Sequence, residues 1–315
     1  MLAFLVRRLI GMVLVLAAVS FIVYFVFVII PGGDPATRIA GKLATQTNID
    51  EIRQRLGLDK PFVVQWFDMV KALFTGELRS YFTQLNVRQQ IIEGLPVTFS
   101  LSIGAAIIWF FFGVVVGVLA AVKAGRLSDR LITVLALIGI SMPVFFLGVV
   151  LRYLFAQRNS WFPDGGYVPL TSNPAQWFYH LLLPWLTLAV LFIGFYGRVL
   201  RGNMLDTINE DFVRTARAKG LSPRRVLIKH VLRNSLIPIV TLFGLDFAAV
   251  LGGGAILTES VFNLHGVGWY AATSVASLDL PPLMGVTLYG AFFIVVFSTI
   301  VDLLYAWLDP RVRIS

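Results

Sequence analysis

The chain has 315 residues, 57% hydrophobic and 14% charged, with a formal net charge of +9 and no cysteine. Soluble domains average about 25% charged residues, so this chain has too little charge to cover a water-soluble globule, and its apolar content excludes a disordered chain. The lack of cysteine excludes disulfides and thiolate chemistry, and three histidines far apart in sequence argue against a histidine metal site. With a mean hydropathy of +0.81, the composition predicts a membrane protein.

Apolar runs long enough to cross a bilayer occur six times. The first, Leu9–Ile30, would extend about 33 Å, against about 30 Å for the hydrocarbon core. It lacks the short apolar core and the cleavage site of a signal peptide, so we expect it to be retained. The others are Val97–Val122, Leu131–Leu151 with Pro143, Trp177–Gly197 with Pro184, Ser235–Thr258 with Asp246, and Leu283–Leu308 with Asp302. We expect the two internal prolines to kink their helices.

The positive charges predict the orientation. With the N-terminus in the cytoplasm, sixteen Lys and Arg fall in the inside segments and two in the short outside segments 152–176 and 259–282. The long segment 31–95 is left out of this comparison because long loops cross the membrane largely regardless of charge. Both termini are therefore predicted to be cytoplasmic, and the basic composition needs no nucleic-acid partner.

The long segment after the first span reads as a small helical unit. Ile49–Leu58 and Phe62–Phe74 are its two predicted helices. In the second helix, one apolar stripe is predicted from helical spacing, and it consists of Val63, Phe67, Val70 and Phe74. Two readings are open: the stripe packs on the spans below, or it is a platform for an extracytoplasmic partner.

The inside segment 198–234 combines two helix patterns. Asn209 is placed to cap a first helix that has acidic residues in its first turn, basic residues in its last turn and Gly220 as its stop. Pro223 then begins a second helix that runs towards Arg233.

From these residues alone, two functions are open for the loop. Its basic side chains could bind anionic lipid headgroups. Alternatively, the small-residue face around Ala216–Gly220 could dock into a cleft on a soluble partner. A membrane anchor requires neither a glycine break nor a second helix with a defined start.

Two stretches in the loop form a recognisable pattern, namely Phe212-Val213-Arg214-Thr215-Ala216-Arg217-Ala218-Lys219-Gly220-Leu221-Ser222 and His230-Val231-Leu232-Arg233-Asn234-Ser235-Leu236-Ile237-Pro238. They resemble the coupling loop of ABC importer permeases, in the dipeptide/oligopeptide/nickel branch. The resemblance covers essentially the whole chain. Further matching motifs are Arg7-Arg8, Gly33-Asp34-Pro35, Arg53 to Pro61, Leu95-Pro96-Val97-Thr98, Gly139-Ile140-Ser141-Met142-Pro143, Thr258-Glu259-Ser260-Val261-Phe262, Gly266-Val267-Gly268 and Asp309-Pro310-Arg311.

The chain departs from the general importer signature at three places. Arg214-Thr215-Ala216 occupies the slot of Glu-Ala-Ala, so the contact made by that glutamate cannot be carried over. Arg233 stands where the signature has proline, and Asp246 where a neutral polar residue is expected. The long segment after the first span resembles the B-type subunit of the permease pair rather than the C-type.

The resemblance implies an all-α integral membrane protein with the type I ABC importer permease fold, six transmembrane helices and both termini cytoplasmic. The expected units are residues 1–30 (N-terminus and first helix), 31–95 (a helical extracytoplasmic insertion), 96–308 (a permease core of five helices with its coupling loop at 198–234) and 309–315 (a cytoplasmic tail). The expected location is a bacterial or archaeal plasma (inner) membrane.

The implied function is that of the permease subunit of an ATP-driven dipeptide or oligopeptide importer, forming half of the translocation pathway. The sequence has no Walker A motif, so ATP would be bound by partner subunits, and no cofactor, metal or catalytic residue is expected in this chain. The implied partners are a C-type permease subunit, two ATP-binding subunits or one fused pair, an extracytoplasmic solute-binding protein and the lipid bilayer.

The resemblance also assigns site residues. The ATPase-coupling helix would comprise Asp211, Phe212, Arg214, Thr215, Ala216, Arg217, Ala218, Lys219, Gly220 and Leu221. ATP binding would drag this helix and move the spans, so Gly220→Pro or Ala216→Arg should uncouple ATP hydrolysis from uptake.

Four residues are candidates for the translocation pathway: Asp246, Glu259, Ser141 and Pro143. Asp246 lies deep in a span, where a charge is costly and faces the bundle interior or water. It is either a cavity residue that meets a substrate amine or a partner arginine, or a structural hydrogen-bonding group. Asp302 is expected to form an ion pair near the membrane surface, and Glu259 to shape the outer gate with the Gly266–Gly268 turn.

Alternative functions remain. Permeases that resemble this one also carry nickel chelates or glutathione. A stand-alone secondary transporter would need a coupling-ion site in the spans, to which only Asp246 and Asp302 could contribute. A membrane enzyme is disfavoured because no acid or histidine cluster lies within a span.

Overall fold

The computed structural model describes residues 2–29, 35–41 and 44–308, and these residues are mostly helical. The helices are α1 (Leu2–Ile29), α2 (Pro35–Ala40), α3 (Gln46–Arg55), α4 (Phe62–Thr75), α5 (Val87–Val122), α6 (Leu127–Ser141), α7 (Val144–Leu151), α8 (Pro174–Thr207), α9 (Asp211–Ala218), α10 (Pro223–Arg225), α11 (Arg233–Ala249), α12 (Ile256–Val261), α13 (Val267–Ser277) and α14 (Leu280–Leu308). The segments Arg152–Arg158, Val226–Leu232 and Val250–Gly254 are π-helical. Gly33-Asp34, Asp309-Pro310-Arg311 and the predicted tail 309–315 lie outside the described residues.

Five helical stretches are long and apolar enough to cross a membrane, and a bent helix pair brings the count to six. The five are Val6–Val28, Val87–Val122, Pro174–Thr207, Pro223–Gly254 and Leu280–Leu303. The pair is Leu127–Ser141 and Val144–Arg158, bent by 98°. The six predicted spans are thus recovered when the pair is counted as one.

The third span was predicted as one kinked helix, and this prediction is wrong. Met142 and Pro143 are both extended, with ψ of 127° and 131°, so the helix ends and a new one starts in a different direction. Proline has no N–H for the helical ladder and disfavours helical backbone in the residue before it. Pro184, by contrast, lies inside a helix that continues past it.

Several spans are longer than their apolar runs. α5 begins at Val87, where Asn86 caps it by accepting a hydrogen bond from the Gln89 N–H (3.0 Å). α8 continues to Thr207, and the fifth span starts at Pro223. Hydropathy locates the part of a helix inside the bilayer, and these helices continue past it on polar residues.

The core lies where α5 packs along α8. Trp109 of α5 stacks on Phe192 with a ring-centroid distance of 4.5 Å, and Trp185 donates its Nε1–H to the carbonyl of Ser100 (2.9 Å). The other spans pack around this pair: α6, α7 and α11 contact α8, while α14 packs on α11 and α1.

The two ends of the bundle differ. We call the end that carries residues 208–222 and the Arg8–Asp302 ion pair the basic end, and the opposite end, beside residues 44–86, the insertion end. Arg8 of α1 pairs with Asp302 of α14, so these two helices are fixed in register, and the pairing predicted for Asp302 is confirmed.

The insertion contains both predicted helices, as α3 and α4, together with the short helix α2, which was not predicted. α4 ends at Gly76, whose φ of +79° is a left-handed value that glycine adopts without strain. The predicted apolar stripe forms, but only Val70 of it packs on the spans, because Val63, Phe67 and Phe74 are 60%, 59% and 71% exposed. α4 packs instead through its neighbouring face, which is formed by Phe62, Trp66, Met69 and Leu73.

A buried acid fastens the insertion to the bundle. Asp279, between α13 and α14, is 3% exposed and accepts hydrogen bonds from the Ser80 hydroxyl and from the Tyr81 N–H (3.0 Å). Burial raises the pKa of this carboxyl, while the hydrogen bonds from Ser80 and Tyr81 oppose that rise.

Candidate functional site

The loop at the basic end folds as a helix, a glycine break and a second helix, as predicted. α9 ends in a Schellman motif: the Gly220 N–H donates to Arg217 O (2.9 Å) and the Leu221 N–H donates to Ala216 O (3.4 Å). Gly220 has φ +74°, which allows the chain to leave the helix at this point. The second helix does not stop near Arg233 but runs on into the fifth span.

The predicted cap at Asn209 is wrong. The N-cap position is Glu210, without a side-chain cap bond, and the Asn209 amide donates instead to Leu205 O (3.0 Å). The α8 helix ends only at Thr207, so Asn209 lies in the turn that follows α8 and can reach back to it. Asn209, a residue type that commonly caps helices, therefore lies one position before the actual N-cap.

One face of α9 is locked into its own chain. Val213 and Ala216 are 0% and 5% exposed, in the same buried cluster as Val226 and Val231 of the following helix. The base of the loop is also closed, because the Ser235 hydroxyl donates to Thr207 Oγ1 (3.1 Å). α9 is therefore held against the helix that follows it, and that helix is tied to the end of α8.

The rest of α9 is exposed within the part of the chain that the structure describes. Phe212, about 40° from Ala216 at the edge of the buried face, is 44% exposed. The predicted residues Asp211, Arg214, Thr215, Arg217, Ala218, Lys219 and Gly220 are also exposed, and Leu221 is half-buried. The prediction that Ala216 is part of the docking face is wrong, since Ala216 is buried in the same cluster as Val226 and Val231. Ala216→Arg would disrupt the loop itself and so cannot report on docking.

Asp246 is engaged inside the bundle. It is half-buried on α11 and accepts a hydrogen bond from the Tyr196 hydroxyl of α8 (2.7 Å). This contact favours the structural reading of Asp246. Ser141 and Pro143, by contrast, are exposed at the break between α6 and α7.

Glu259 lies at a junction of three helices at the insertion end. Its carboxylate, 0% exposed, accepts hydrogen bonds from Thr98 Oγ1 of α5 (2.7 Å) and from the Trp269 N–H of α13 (2.8 Å). Thr98 Oγ1 in turn accepts from the Val267 N–H (2.9 Å). The free N–H groups of the first turn of α13 are thus satisfied by side chains of two other helices, which act as a cap supplied from outside.

The glycine at the start of α13 makes this junction possible. A Cβ at Gly266 would lie 2.4 Å from Glu259 Oε2 and 2.6 Å from Thr98 Oγ1. Glu259 and the Gly266–Gly268 turn, predicted together, do meet in space. Beside them lies a cavity of about 410 Å³ whose walls come from α13, α14 and the π-helical segment Val250–Gly254.

Comparison with known proteins identifies the family. Residues 113–314 match the family described as "binding-protein-dependent transport system inner membrane component", and residues 1–102 match the family described as its N-terminal region. The chain belongs to this permease family. A probable peptide ABC transporter permease of Sinorhizobium fredii is 39% identical over 311 residues, which cover 98% of this chain and 99% of the relative.

Two further relatives differ in their named substrates. A probable D,D-dipeptide transport system permease of Escherichia coli is 37% identical over 327 residues, covering 96% of this chain and 95% of the relative. A glutathione transport system permease of Salmonella typhimurium is 37% identical over 314 residues, covering 99% of both.

The permease also contains a contact that sequence reasoning missed. Arg201 of α8 forms a bidentate ion pair with Asp129 of α6, with distances of 2.7 and 2.8 Å, and Asp129 also accepts the Gly125 N–H (2.9 Å). The one signal for this pair in the sequence was Asp129 itself, an acidic residue in the first turn of a helix next to a basic loop. This pair joins the α5–α6 turn to the part of α8 that leads into α9.

A second missed residue holds the far end of α12. Arg152 donates to the carbonyl of Val261 (2.6 Å) and forms a bidentate ion pair with Asp164, with both distances 2.9 Å. The guanidinium group of Arg152 lowers the pKa of the Asp164 carboxyl. α12 is therefore held at its C-terminal end by Arg152 and through Glu259 by α5 and α13.

Proposed function

We propose that this permease is the B-type transmembrane subunit of an ATP-driven peptide importer, with both termini in the cytoplasm and residues 208–222 as the docking site of an ATPase subunit. The named substrates of the relatives support peptides, and the concentration of Lys and Arg at the basic end supports the orientation. The chain would carry out no covalent chemistry of its own. Its partners would be a C-type permease subunit, two ATP-binding subunits or a fused pair, and an outer solute-binding protein.

The observation that carries the docking proposal is an exposed aromatic side chain at the edge of the buried face of α9. Val213 and Ala216 are buried in the chain, while Phe212, about 40° from Ala216 around the helix, is 44% exposed. A large aromatic side chain on a rigid, half-buried helix is the type of residue that dominates binding energy at protein interfaces. Arg214 and Arg217 lie on the far side of α9 from Phe212, and Lys219 lies about two turns along on its own side. All three are exposed and favour acidic residues on the partner.

The same build explains how motion would be transmitted. α8 runs without interruption from Pro174 to Thr207, and the helix after the loop continues from Pro223 to Gly254. A displacement of α9 would therefore be passed to two spans at once, since α9 packs on one and the Thr207–Ser235 hydrogen bond joins both. In this mechanism the chain converts movement of the ATPase into a change of access to the pathway.

Glutathione transport is the second candidate function. The Salmonella typhimurium glutathione permease is as similar to this chain as the dipeptide permease is. Both substrates are small peptides, and a nickel chelate is the further substrate that the sequence resemblance allows. Competition of unlabelled dipeptide and glutathione against uptake of a labelled peptide by the reconstituted transporter separates them: the true substrate abolishes uptake.

The docking proposal is tested with Phe212→Ala, using Val213→Ala as the matched neighbour. Loss of an interface aromatic costs about 2 kcal/mol or more, which corresponds to roughly 30-fold weaker binding. In the assembled transporter we expect Phe212→Ala to lower ATPase co-purification and uptake without changing the melting temperature of the chain. Val213→Ala should lower the melting temperature because Val213 is fully buried.

Unchanged ATPase binding and uptake in Phe212→Ala would contradict docking at this face. Phe212→Trp serves as the conservative control and should retain most of the binding. If the unaltered transporter binds its ATPase normally but takes up no peptide, the docking site still stands and the peptide is not the substrate.

A further inference from the structure

Helix α4 (Phe62–Thr75) has three different faces. The packed face, formed by Phe62, Trp66, Met69 and Leu73, lies on α1 and α14. Beside it, Val63, Phe67 and Phe74 are 59–71% exposed, and they fall within an arc of about 40° at about 100° per residue. We call these three side chains the α4 stripe.

The polar side of α4 lies away from the stripe. Asp68 pairs with Lys60 (2.6 Å), and the Gln65 amide donates to Leu58 O (3.1 Å) and Lys60 O (2.7 Å). These residues line an open cavity of about 460 Å³ within the insertion, where charged side chains have access to water. An exposed valine, Val64 (41%), is the apolar exception on this side.

The contacts of α4 place it at a defined depth along α1. Trp66 Nε1 donates to Ser20 Oγ (3.1 Å), and Tyr24 donates its hydroxyl proton to Gln65 (2.6 Å). Within the described residues, the stretch of α1 that is apolar enough to cross a membrane extends to Val28. At about 1.5 Å per residue, Tyr24 and Ser20 lie about 6 and 12 Å inside that end.

α14 gives the same depth independently. A Cβ at Gly285 would lie 3.6 Å from Leu73 of α4. Gly285 lies about 26 Å along α14 from Asp302, which pairs with Arg8 at the basic end. The hydrocarbon core is about 30 Å thick, so Leu73 also falls within the core, near the insertion end.

The α4 stripe continues the exposed apolar surface of α1. Phe21, Ile22 and Phe25 of α1 are 39%, 58% and 45% exposed within a membrane span. Phe62 of α4 packs edge-on against Phe21 (5.7 Å) and Phe25 (6.1 Å), measured between ring centroids. The surface that α1 presents to acyl chains therefore passes onto α4 without a polar break.

From this placement we propose that α4 lies within the leaflet at the insertion end as an interfacial helix, and that its stripe binds lipid acyl chains rather than a protein. Helices of this type bury their apolar face about 5–10 Å below the headgroups and keep a polar face towards water. Residues 62–75 are then part of the membrane surface of the permease, and the rest of the insertion stands on them. This surface is independent of the docking proposed for the loop at the basic end.

The experiment uses single cysteines, since the chain has none of its own. Val63→Cys, Phe67→Cys and Phe74→Cys are labelled with a nitroxide in the assembled transporter in nanodiscs, with Lys71→Cys and Thr75→Cys as matched controls on the polar side. Collision rates are measured with oxygen, which concentrates in lipid, and with a water-soluble nickel chelate. The three stripe positions should collide with oxygen and be shielded from nickel, and the two controls should show the reverse order.

Two outcomes would overturn the proposal. Access of the nickel chelate to the stripe would place it in water. Protection from both reagents would show that protein covers it, either the second permease subunit or another copy of this chain, and repeating the measurement on the chain purified alone would distinguish these covers. Retained ATPase co-purification in each variant confirms that the assembly is intact.

Discussion

The junction at Glu259 gives a sharp prediction about stability. Glu259→Ala removes a fully buried acceptor that serves the Thr98 hydroxyl and the Trp269 N–H, both within 2.8 Å of it. A buried donor left without its acceptor costs about 1–3 kcal/mol, so with two donors affected we expect a loss of about 3 kcal/mol. Since 1 kcal/mol corresponds to about 2–4 °C in a chain of a few hundred residues, the melting temperature should fall by roughly 6–12 °C.

The assay is thermal unfolding of the purified transporter, followed by tryptophan fluorescence, together with uptake in proteoliposomes. Glu259→Gln keeps the shape and one carbonyl acceptor, so its loss should be about half as large. Thr98→Ser keeps both hydrogen bonds and is the matched control for Thr98→Val, which loses them. Combining Glu259→Ala with Thr98→Val should cost less than the sum of the two single losses, because the residues share one network.

A melting temperature of Glu259→Ala equal to that of the unaltered protein would refute this reasoning. Strictly additive losses in the double variant would refute the shared network while leaving Glu259 important. Lower uptake at an unchanged melting temperature would instead favour a direct role of Glu259 in the pathway.

Two other predictions concern the basic end. Asp129→Ala and Arg201→Ala should each lower thermal stability. The double variant should be no less stable than either single variant, because the bidentate pair is lost only once. Additive losses in this double-mutant cycle would argue against the pair. Gly220→Ala should cost about 1–2 kcal/mol from left-handed backbone alone, since among the described residues no atom beyond its two chain neighbours lies within 4 Å of the added Cβ. Asparagine tolerates left-handed backbone better than alanine, so Gly220→Asn should recover stability. If uptake nevertheless stays low in Gly220→Asn, a docked ATPase subunit crowds this position; normal uptake would indicate that the space beside residue 220 is open.

The sequence alone determined the class of molecule and much of its plan. Charge-free runs must be helical in a bilayer because each backbone N–H and C=O needs a partner inside the segment, and this located the spans. Gly220 and Pro223 marked the break in the loop because their backbone preferences are local. The motifs around these residues also identified the permease family before any contact was known.

Only the tertiary structure decided which faces are used. α4 is apolar over more than one face, so spacing could not tell that Met69 rather than Val63 packs on the spans. In α9, Phe212 and Ala216 share one side of the helix, so spacing could not tell that Ala216 is buried and Phe212 exposed. The break at Pro143 is a further case, because the choice between a kink and a new helix depends on what α7 packs against. Pairs such as Asp129–Arg201 and Glu259–Thr98 join residues 72 and 161 positions apart. The local sequence does not reveal these pairs, because a buried polar group needs a partner that is close in space and not one that is close in sequence.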